Sequence, residues 1–281
     1  MNDGYSSAYP IELRARNPLV LDESALQAAL AARLGRIKPA GDAEKGGLRL
    51  YFLEDYPVQF KEGSIPAQLA LIAPEPRAPQ DQHPPSIEQA LQQSWSFREA
   101  REVLGECRHS LLLTNMMSSP LPHDLRRRLI ANGLLAVLES TPVELILWSP
   151  TQQMLAPADV RRRYAEAQEL ANPVYGFLNV RFFKIDNSDG DMVMDTLGLS
   201  ALGLTDFQIH YRQLEPDPVA QFLYNLGAYA FEKGGVIEDG HTVEGPGGRW
   251  TCRRQVSLVE PQREVLDVDP GPPFAAGNTA S

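Results

Sequence analysis

The stretch VIEDGHTVEG, residues 236–245, concentrates residue types that could perform acid–base chemistry. Three carboxylates, one imidazole and one hydroxyl surround Gly240, and they belong to Glu238, Asp239, His241, Thr242 and Glu244. Imidazole titrates near neutral pH and a carboxylate beside it can fix its tautomer, so Asp239 and His241 form a candidate acid–base pair. Such a pair needs a third group. His210 could supply it, but only if the fold brings its strand close to this stretch.

Two interpretations of the same stretch involve no chemistry. Glycine adopts backbone conformations that other residues resist, so Gly240 predicts a turn between a helix and a strand. Alternatively, the acids form a loop that another protein recognises. The chain contains no GxSxG nucleophile elbow, GxxxxGKS/T phosphate loop, HExxH helix or GxGxxG turn. We therefore favour a structural or interfacial role for Asp239 and His241, and we expect no catalytic residue, no cofactor and no enzymatic activity.

The sequence also predicts no metal site. IDNSDGD, residues 185–191, superficially resembles a calcium loop, but Gly190 stands where an oxygen ligand is required and no glutamate closes the loop. Its Asp-Gly pair lies between two strand-like segments, which favours a hairpin turn. Cys107 and His109 have no second ligand pair nearby, so packing explains them better than zinc does.

Acidic residues are concentrated in the last third of the chain. Residues 186–281 hold 15 acids and 6 bases, a net charge of −9, whereas residues 1–185 hold 21 acids and 20 bases, a net charge of −1. An acidic surface favours a basic protein partner and argues against nucleic acid. The arginine runs at 126–128 and 161–163 lie on predicted helices beside acids, which is typical of a solvated helix face.

Composition shifts divide the chain into α/β segments. The sequence of residues 1–75 predicts an N-terminal α/β subdomain, and the proline-rich composition of residues 76–85 predicts a linker. The pattern of residues 86–270 predicts the main α/β domain, and the composition of residues 271–281 predicts a flexible tail. The fold class is therefore expected to be mixed α+β, with mixed sheets flanked by helices in two packed subdomains.

Capping patterns place two helices in the first half of the chain. Asp22 is a favourable N-cap for a helix that stops near Gly35. Ser86 and Gln89 form a capping-box pattern that predicts a helix continuing through Leu104.

A third helix is predicted over residues 217–235, with Asp217 as its cap and two glycines at its end. Its apolar stripe consists of Val219, Phe222, Leu223, Leu226 and Ala230. Just upstream, DFQIHYR alternates like a strand, with Phe207, Ile209 and Tyr211 on one face.

Apolar segments give no sign of membrane insertion or secretion. None approaches the roughly 20 residues of a membrane span, and the N-terminus lacks the apolar run of a secretory signal. The chain has two cysteines, far apart, which suits a reducing compartment. We expect a cytoplasmic protein without membrane partners.

Three segments resemble a bacterial family of domains of unknown function: VMDTLGLSALGLTDFQIHY, DPVAQFLYNLGAYAFEKGGVIEDGHTVEG, and an ending that runs from RW to SLVEPQREVLDVDPG. The resemblance covers residues 193–271 and depends mainly on the motifs DTLGL, ALGL and DGHTV. It is weaker at QQSWSFREAREVL, HSLLLTNMM and PVELILWSP. The resemblance supplies no catalytic residue. It implies a stand-alone cytosolic protein, and some similar proteins are immunity proteins encoded beside toxins of type VI secretion systems.

The resemblance and the acidic last third favour a protein that neutralises a cognate type VI toxin, with a nuclease as the expected target, by direct non-covalent binding. The expected partner-binding residues lie in two predicted loops and are Asp186, Asp189, Asp191, Glu238, Asp239, His241 and Glu244. The alternatives are an enzyme of unrecognised chemistry that uses Asp239, His241 and His210, and a housekeeping scaffold. A pocket in which these groups converge would favour the enzyme, whereas acids on a convex or grooved surface would favour the inhibitor.

Overall fold

The computed structural model describes residues 8–41, 47–73, 84–166, 173–186, 188 and 190–276. The described residues divide into two compact units, residues 8–166 and residues 173–276. Within the described residues, seven α-helices accompany two open sheets, one antiparallel and one mixed, so the predicted mixed α+β class is confirmed. No helix among these residues is both long enough and apolar enough to cross a membrane.

The first unit is built on a seven-stranded antiparallel sheet with strand order β2-β3-β4-β5-β1-β6-β7. Its strands are β1 (Tyr9–Ala15), β2 (Ile37–Pro39), β3 (Leu48–Phe60), β4 (Gly63–Ile72), β5 (His109–Met116), β6 (Leu145–Trp148) and β7 (Gln153–Leu155). Strand β1 lies between β5 and β6 and is antiparallel to both, so β5 and β6 run in the same direction. The predicted N-terminal subdomain, residues 1–75, thus shares one sheet with strands from the predicted main domain.

In the part of this unit that the structure describes there are five α-helices: α1 (Glu23–Leu34), α2 (Pro85–Gln92), α3 (Ala100–Glu106), α4 (His123–Ser140) and α5 (Pro157–Glu166). The predicted ends of α1 are confirmed, because the Ala25 N–H donates to Asp22 Oδ1 at 3.0 Å and Gly35 is the C-cap. Helix α1 buries Leu26, Leu30 and Leu34 and contacts α4, which places the core of this unit between helices and sheet.

The predicted single helix from Ser86 to Leu104 is wrong. The structure has two helices, α2 and α3, and the N-cap of α2 is Pro84 without a side-chain capping bond. The chain turns at Ser94, whose hydroxyl accepts the Met154 N–H of β7 at 2.7 Å. This hydrogen bond and the packing of α2 and α3 on β6 and β7 determine where the helices end, and they override the capping-box pattern at Ser86.

The interpretation of Arg126–Arg128 as a solvated helix face is also wrong for two of the three residues. Arg126 is fully buried and Arg127 is 7 % exposed, because α4 contacts both α1 and the sheet. Burial lowers the pKa of both guanidinium groups. Arg128 is exposed and pairs with Asp124 at 2.9 Å. The second run, 161–163, is exposed on α5 as predicted.

The second unit contains a six-stranded mixed sheet with strand order β11-β12-β13-β10-β9-β8. Its strands are β8 (Asn179–Lys184), β9 (Met192–Leu197), β10 (Asp206–Tyr211), β11 (Thr242–Gly245), β12 (Gly248–Val256) and β13 (Glu264–Asp269). The β10–β13 pair is parallel and the other neighbours are antiparallel. Two helices complete the unit, namely α6 (Leu199–Leu202) and α7 (Pro216–Lys233).

Helix α7 covers one face of this sheet. Phe222 packs edge-to-face on Trp250 of β12, with ring centroids 5.0 Å apart. The same face carries Phe207, Ile209 and Tyr211, all buried, which confirms the predicted alternation of β10. Asp217 is not the cap of α7, because the helix begins one residue earlier, at Pro216, and Glu215 is its N-cap. Its predicted C-terminal glycine is confirmed, since Gly234 is a left-handed C-cap.

Parts of the predicted boundaries lie outside the described residues. These parts are residues 76–83 of the predicted linker and residues 277–281 of the predicted tail. Residues 271–276, which begin that tail, bond to β10 and its end: the Ala276 N–H donates to the His210 carbonyl, and the Arg212 N–H donates to the Phe274 carbonyl.

Candidate functional site

An open groove of about 500 Å³ lies in the second unit, between α7 and the segment that returns from its C-terminus. It is lined by Phe222, Asn225, Leu226, Tyr229, Val236, Ile237, His241, Thr242, Val243 and Glu244. The floor and walls are mainly apolar. Tyr229 is 47 % exposed and Val236 is 49 % exposed, so large apolar surface stands open to solvent beside the acidic stretch.

Two glycines end α7 and reverse the chain just before the groove residues Val236 and Ile237. Gly234 adopts φ 79°, and the Gly235 N–H donates to the Ala230 carbonyl at 2.8 Å. Positive φ values reverse the chain at low cost only in glycine. The chain therefore turns back along α7, with Ile237 buried as an anchor and Val236 left facing solvent.

Gly240 forms a β-bulge where the returning chain joins the sheet. Its N–H donates to the Cys252 carbonyl at 2.8 Å, and the Cys252 N–H donates to the His241 carbonyl at 2.8 Å. Two residues of one strand thus face one residue of the next, with Gly240 at φ 79°, a conformation that suits glycine. The prediction that Gly240 is a conformational requirement is confirmed.

The acids and the histidine of this stretch are exposed around the groove. Asp239 Oδ1 accepts the Arg254 N–H at 2.7 Å, and His241 Nδ1 accepts the Glu238 N–H at 3.2 Å. Glu244 pairs with Arg249 at 3.1 Å, and both side chains are more than two-thirds exposed. Asp239 and His241 therefore stabilise the bulge and its turn, and their remaining polar atoms face solvent.

The other predicted partner-binding residues lie on the β8–β9 hairpin, towards the opposite edge of the sheet. The predicted hairpin turn is confirmed, because Ile185 and Asp191 close it with a 3.1 Å backbone bond. Asp186 is exposed, and Asp191 pairs with Arg212 at 3.1 Å. Asp189 lies outside the described residues. The structure thus divides the predicted set between two ends of one sheet.

His210 does not join Asp239 and His241. Strands β12 and β13 separate β11 from β10, and three strand spacings correspond to about 14 Å. His210 lies instead near Asp191 and Arg212. Burial lowers its pKa, and the nearby Asp191 only partly opposes this effect. The acid–base trio that the enzyme interpretation requires is not assembled.

A buried ion network stabilises the sheet on the face opposite to α7. Arg181 and Asp195 are both fully buried and form a two-bonded pair, with N–O distances of 2.9 and 2.5 Å. Arg263, from the β12–β13 loop, bonds Asp195 at 2.7 Å and Asp206 at 3.2 Å. Asp206 Oδ1 also accepts the Leu199 N–H at the start of α6. Every charge in the network has an opposite partner, which favours a structural role.

The carboxyl group of Asp267 lies next to this network. None of the described hydrogen bonds joins it to a cationic side chain. Asp267 of β13 accepts a hydrogen bond from Gln208 Nε2 at 3.0 Å. Burial raises the pKa of Asp267 to about 6, and the bond from Gln208 opposes this only in part. Burial would lower the pKa of Arg263, but Asp206 and Asp195 outweigh it and the net shift is upward.

Among the described residues, no group of three or more His, Cys, Asp and Glu side chains is arranged to hold a metal ion. The cysteines at 107 and 252 are buried thiols, and burial raises the pKa of each to about 11.

Sequence reasoning missed the exposed apolar half of the groove. Tyr229 and Val236 were not candidates, although Tyr229 lies one turn beyond Leu226, beside the predicted stripe. It also missed the buried network, for which Asp195 and Asp206 within apolar strands were the available signal.

Residues 195–269 match the model of a family described as Domain of unknown function (DUF4261). The match begins in β9 and ends with β13, so it contains the whole groove and most of the buried network. No curated protein and no solved structure gives a significant match to the chain.

Proposed function

We propose that this protein neutralises a cognate toxin of a type VI secretion system by stoichiometric, non-covalent binding, and that the groove between α7 and β11 receives the toxin. The observation that supports this proposal is the combination found in the groove: exposed apolar side chains beside exposed acids. Protein interfaces commonly combine an apolar centre with a polar rim. The class of partner is taken from the resemblance to a family of domains of unknown function, some members of which look like immunity proteins.

The apolar part of the groove provides the anchor. Tyr229 presents a large ring with a polar tip, and residues of this type are enriched at interface hot spots. Phe222 is held in place by its edge-to-face contact with Trp250. A rigid wall of this kind loses little conformational entropy when a partner binds.

The charge of the surrounding surface provides steering. Residues 186–281 carry a net charge of −9; Glu244 is exposed in the lining of the groove, and Glu238 and Asp239 are exposed between its lining residues Ile237 and His241. A nuclease domain presents a basic surface to DNA, so an acidic inhibitor associates quickly and competes for that surface. Inhibition by occlusion requires no catalytic group.

The test is association with the product of the adjacent gene, which the proposal expects to be the toxin, measured from low to high salt. One variant carries Glu238→Gln, Asp239→Asn and Glu244→Gln; the amide oxygen at 239 can still accept the Arg254 N–H. A control variant removes three exposed charges outside the predicted partner-binding set: Glu215→Gln, Asp217→Asn and Glu260→Gln.

We expect the groove variant to associate about tenfold more slowly at low salt, with a reduced salt slope, and to dissociate faster. The control variant should show only the smaller loss that a change in total charge produces. Equal behaviour of the two variants would show that the groove is not the contact surface. Absence of toxin binding by the unmodified protein would overturn the proposed function.

The apolar anchor is tested separately. Tyr229→Ala should weaken toxin binding by about 2 kcal/mol, since it removes a central aromatic side chain. Gln221→Ala, on the exposed face of the same helix, should leave the affinity unchanged.

A further inference from the structure

Strand β11 is an edge strand that lies directly beside the groove. It occupies the end of the sheet order, and among the described residues it pairs with β12 alone. In an antiparallel pair, residues alternate between those that bond the neighbouring strand and those whose backbone groups point away from it. The backbone of an edge strand can therefore accept a further strand.

The register of the hairpin identifies which groups point outwards. The His241 carbonyl accepts the Cys252 N–H, so this is a hydrogen-bonded position. Because bonded and non-bonded pairs alternate, the pair of Thr242 with Thr251 is non-bonded and the next bonded pair is Val243 with Trp250. Thr242 and Glu244 then direct their N–H and C=O groups away from β12. No described hydrogen bond engages these groups. Two donors and two acceptors are thus available along the rim of the groove.

We infer that the partner docks by adding an extended, basic segment as a strand to β11. This inference rests on the proposed function and specifies its binding mode. The added strand would lie about 4.8 Å from β11, and every second side chain would point to the side on which α7 lies. On that side, the exposed apolar surfaces of Tyr229 and Val236 would contact these side chains.

The intervening side chains of the added strand would lie on the other face, with Glu244 and Thr242. Opposite charges on neighbouring strands stabilise the pairing, so Glu244 favours lysine or arginine at the position opposite it, where the carboxylate would be shared with Arg249. The segment is therefore expected to alternate apolar and basic residues.

Both ends of β11 limit the length of the added strand. The bulge at Gly240 interrupts the edge on one side, and the turn at Pro246 and Gly247 ends it on the other. Strand β11 itself has four residues between these limits. Such a short edge discourages self-association, while the adjoining groove supplies specificity to a matching partner.

The experiment compares two substitutions of one exposed residue. Thr242→Pro removes the outward N–H and places a ring where the added strand would pair, and proline is tolerated on edge strands when its N–H position faces solvent. Thr242→Ala removes only the side chain and keeps the N–H. Binding of the adjacent gene's product, the expected toxin, is measured for both variants, with thermal unfolding as the check of folding.

We expect Thr242→Pro to bind at least about tenfold more weakly than Thr242→Ala, which should bind within about twofold of the unmodified protein. If both variants bind equally well, strand addition is wrong and the proposed function stands. If the unmodified protein does not bind the toxin, the proposed function fails and the strand addition fails with it.

Hydrogen exchange supplies a second measurement that needs no substitution. In the free protein, the amides of Thr242 and Glu244 should exchange quickly, whereas the Val243 amide should be protected by β12. Saturating toxin should protect Thr242 and Glu244. Fast exchange of both amides in the complex would overturn the inference even if Thr242→Pro failed to fold.

Discussion

Asp267 should make the protein lose stability as the pH rises through weakly acidic values. Its side chain is half-buried on the sheet face opposite to α7, where it accepts a hydrogen bond from Gln208 at 3.0 Å. Burial is the main reason that its pKa rises from 3.8 to about 6. Asp267→Asn replaces this group by a neutral amide of nearly the same shape, whose oxygen can still accept the bond from Gln208.

The magnitude follows from linkage between protonation and folding. One pKa unit corresponds to about 1.4 kcal/mol, so the rise from 3.8 to about 6 corresponds to at most about 3 kcal/mol. Because the pKa is higher in the folded state, the folded protein binds more protons between pH about 4 and about 6. The free energy of unfolding therefore decreases as the pH rises through this window, and the full loss is present above it.

The assay is urea unfolding of the unmodified protein and of Asp267→Asn between pH 4 and 8. We expect the variant to be more stable above pH about 6, by up to about 3 kcal/mol, and the difference to shrink towards zero near pH 4. Subtracting the two curves cancels the titration of the other carboxylates. Gln255→Ala, an exposed and uncharged position on the neighbouring strand β12, should give a stability difference that does not vary with pH. A constant difference across the window, or a less stable Asp267→Asn above pH 6, would refute the reasoning.

Two further predictions concern packing around the groove, and chemical unfolding tests both. Leu223→Ala should lower the free energy of unfolding by about 2–5 kcal/mol because this side chain is fully buried. Gln221→Ala, on the exposed face of the same helix, should leave the free energy of unfolding nearly unchanged. Equal effects of the two substitutions would mean that the buried face of α7 is misassigned. Gly245→Ala should lower the free energy of unfolding by about 1–3 kcal/mol, because the added Cβ would come within 2.3 Å of the buried Trp250 ring. The control is Gly248→Ala, across the same turn, whose Cβ meets nothing within 4 Å and which should be tolerated. A Gly245→Ala protein as stable as the unmodified one would contradict this close contact.

Local signals predicted the elements well where the relevant interactions are local. Asp22 caps α1, Gly234 ends α7, and the alternation in β10 identifies its buried face, because each feature depends on residues a few positions apart. The same reasoning failed at Ser86, where a bond from distant β7 to Ser94 helps to fix where α2 ends. It failed at Arg126 because helix α4 is covered on sides that its sequence marks as polar.

The candidate site shows the same division. The sequence by itself determined the acidic stretch, the requirement for glycine at position 240 and the apolar stripe of α7, since composition and backbone conformation are properties of neighbouring residues. Only the tertiary structure decided that β11 is an edge strand, that α7 leaves an open groove beside it, and that His210 lies about three strand spacings from His241. Strand order results from pairing between segments far apart in the chain, where the stabilising contacts are non-directional burial and backbone bonds that every sequence can form. A strand's place in a sheet therefore leaves little trace in its own residues.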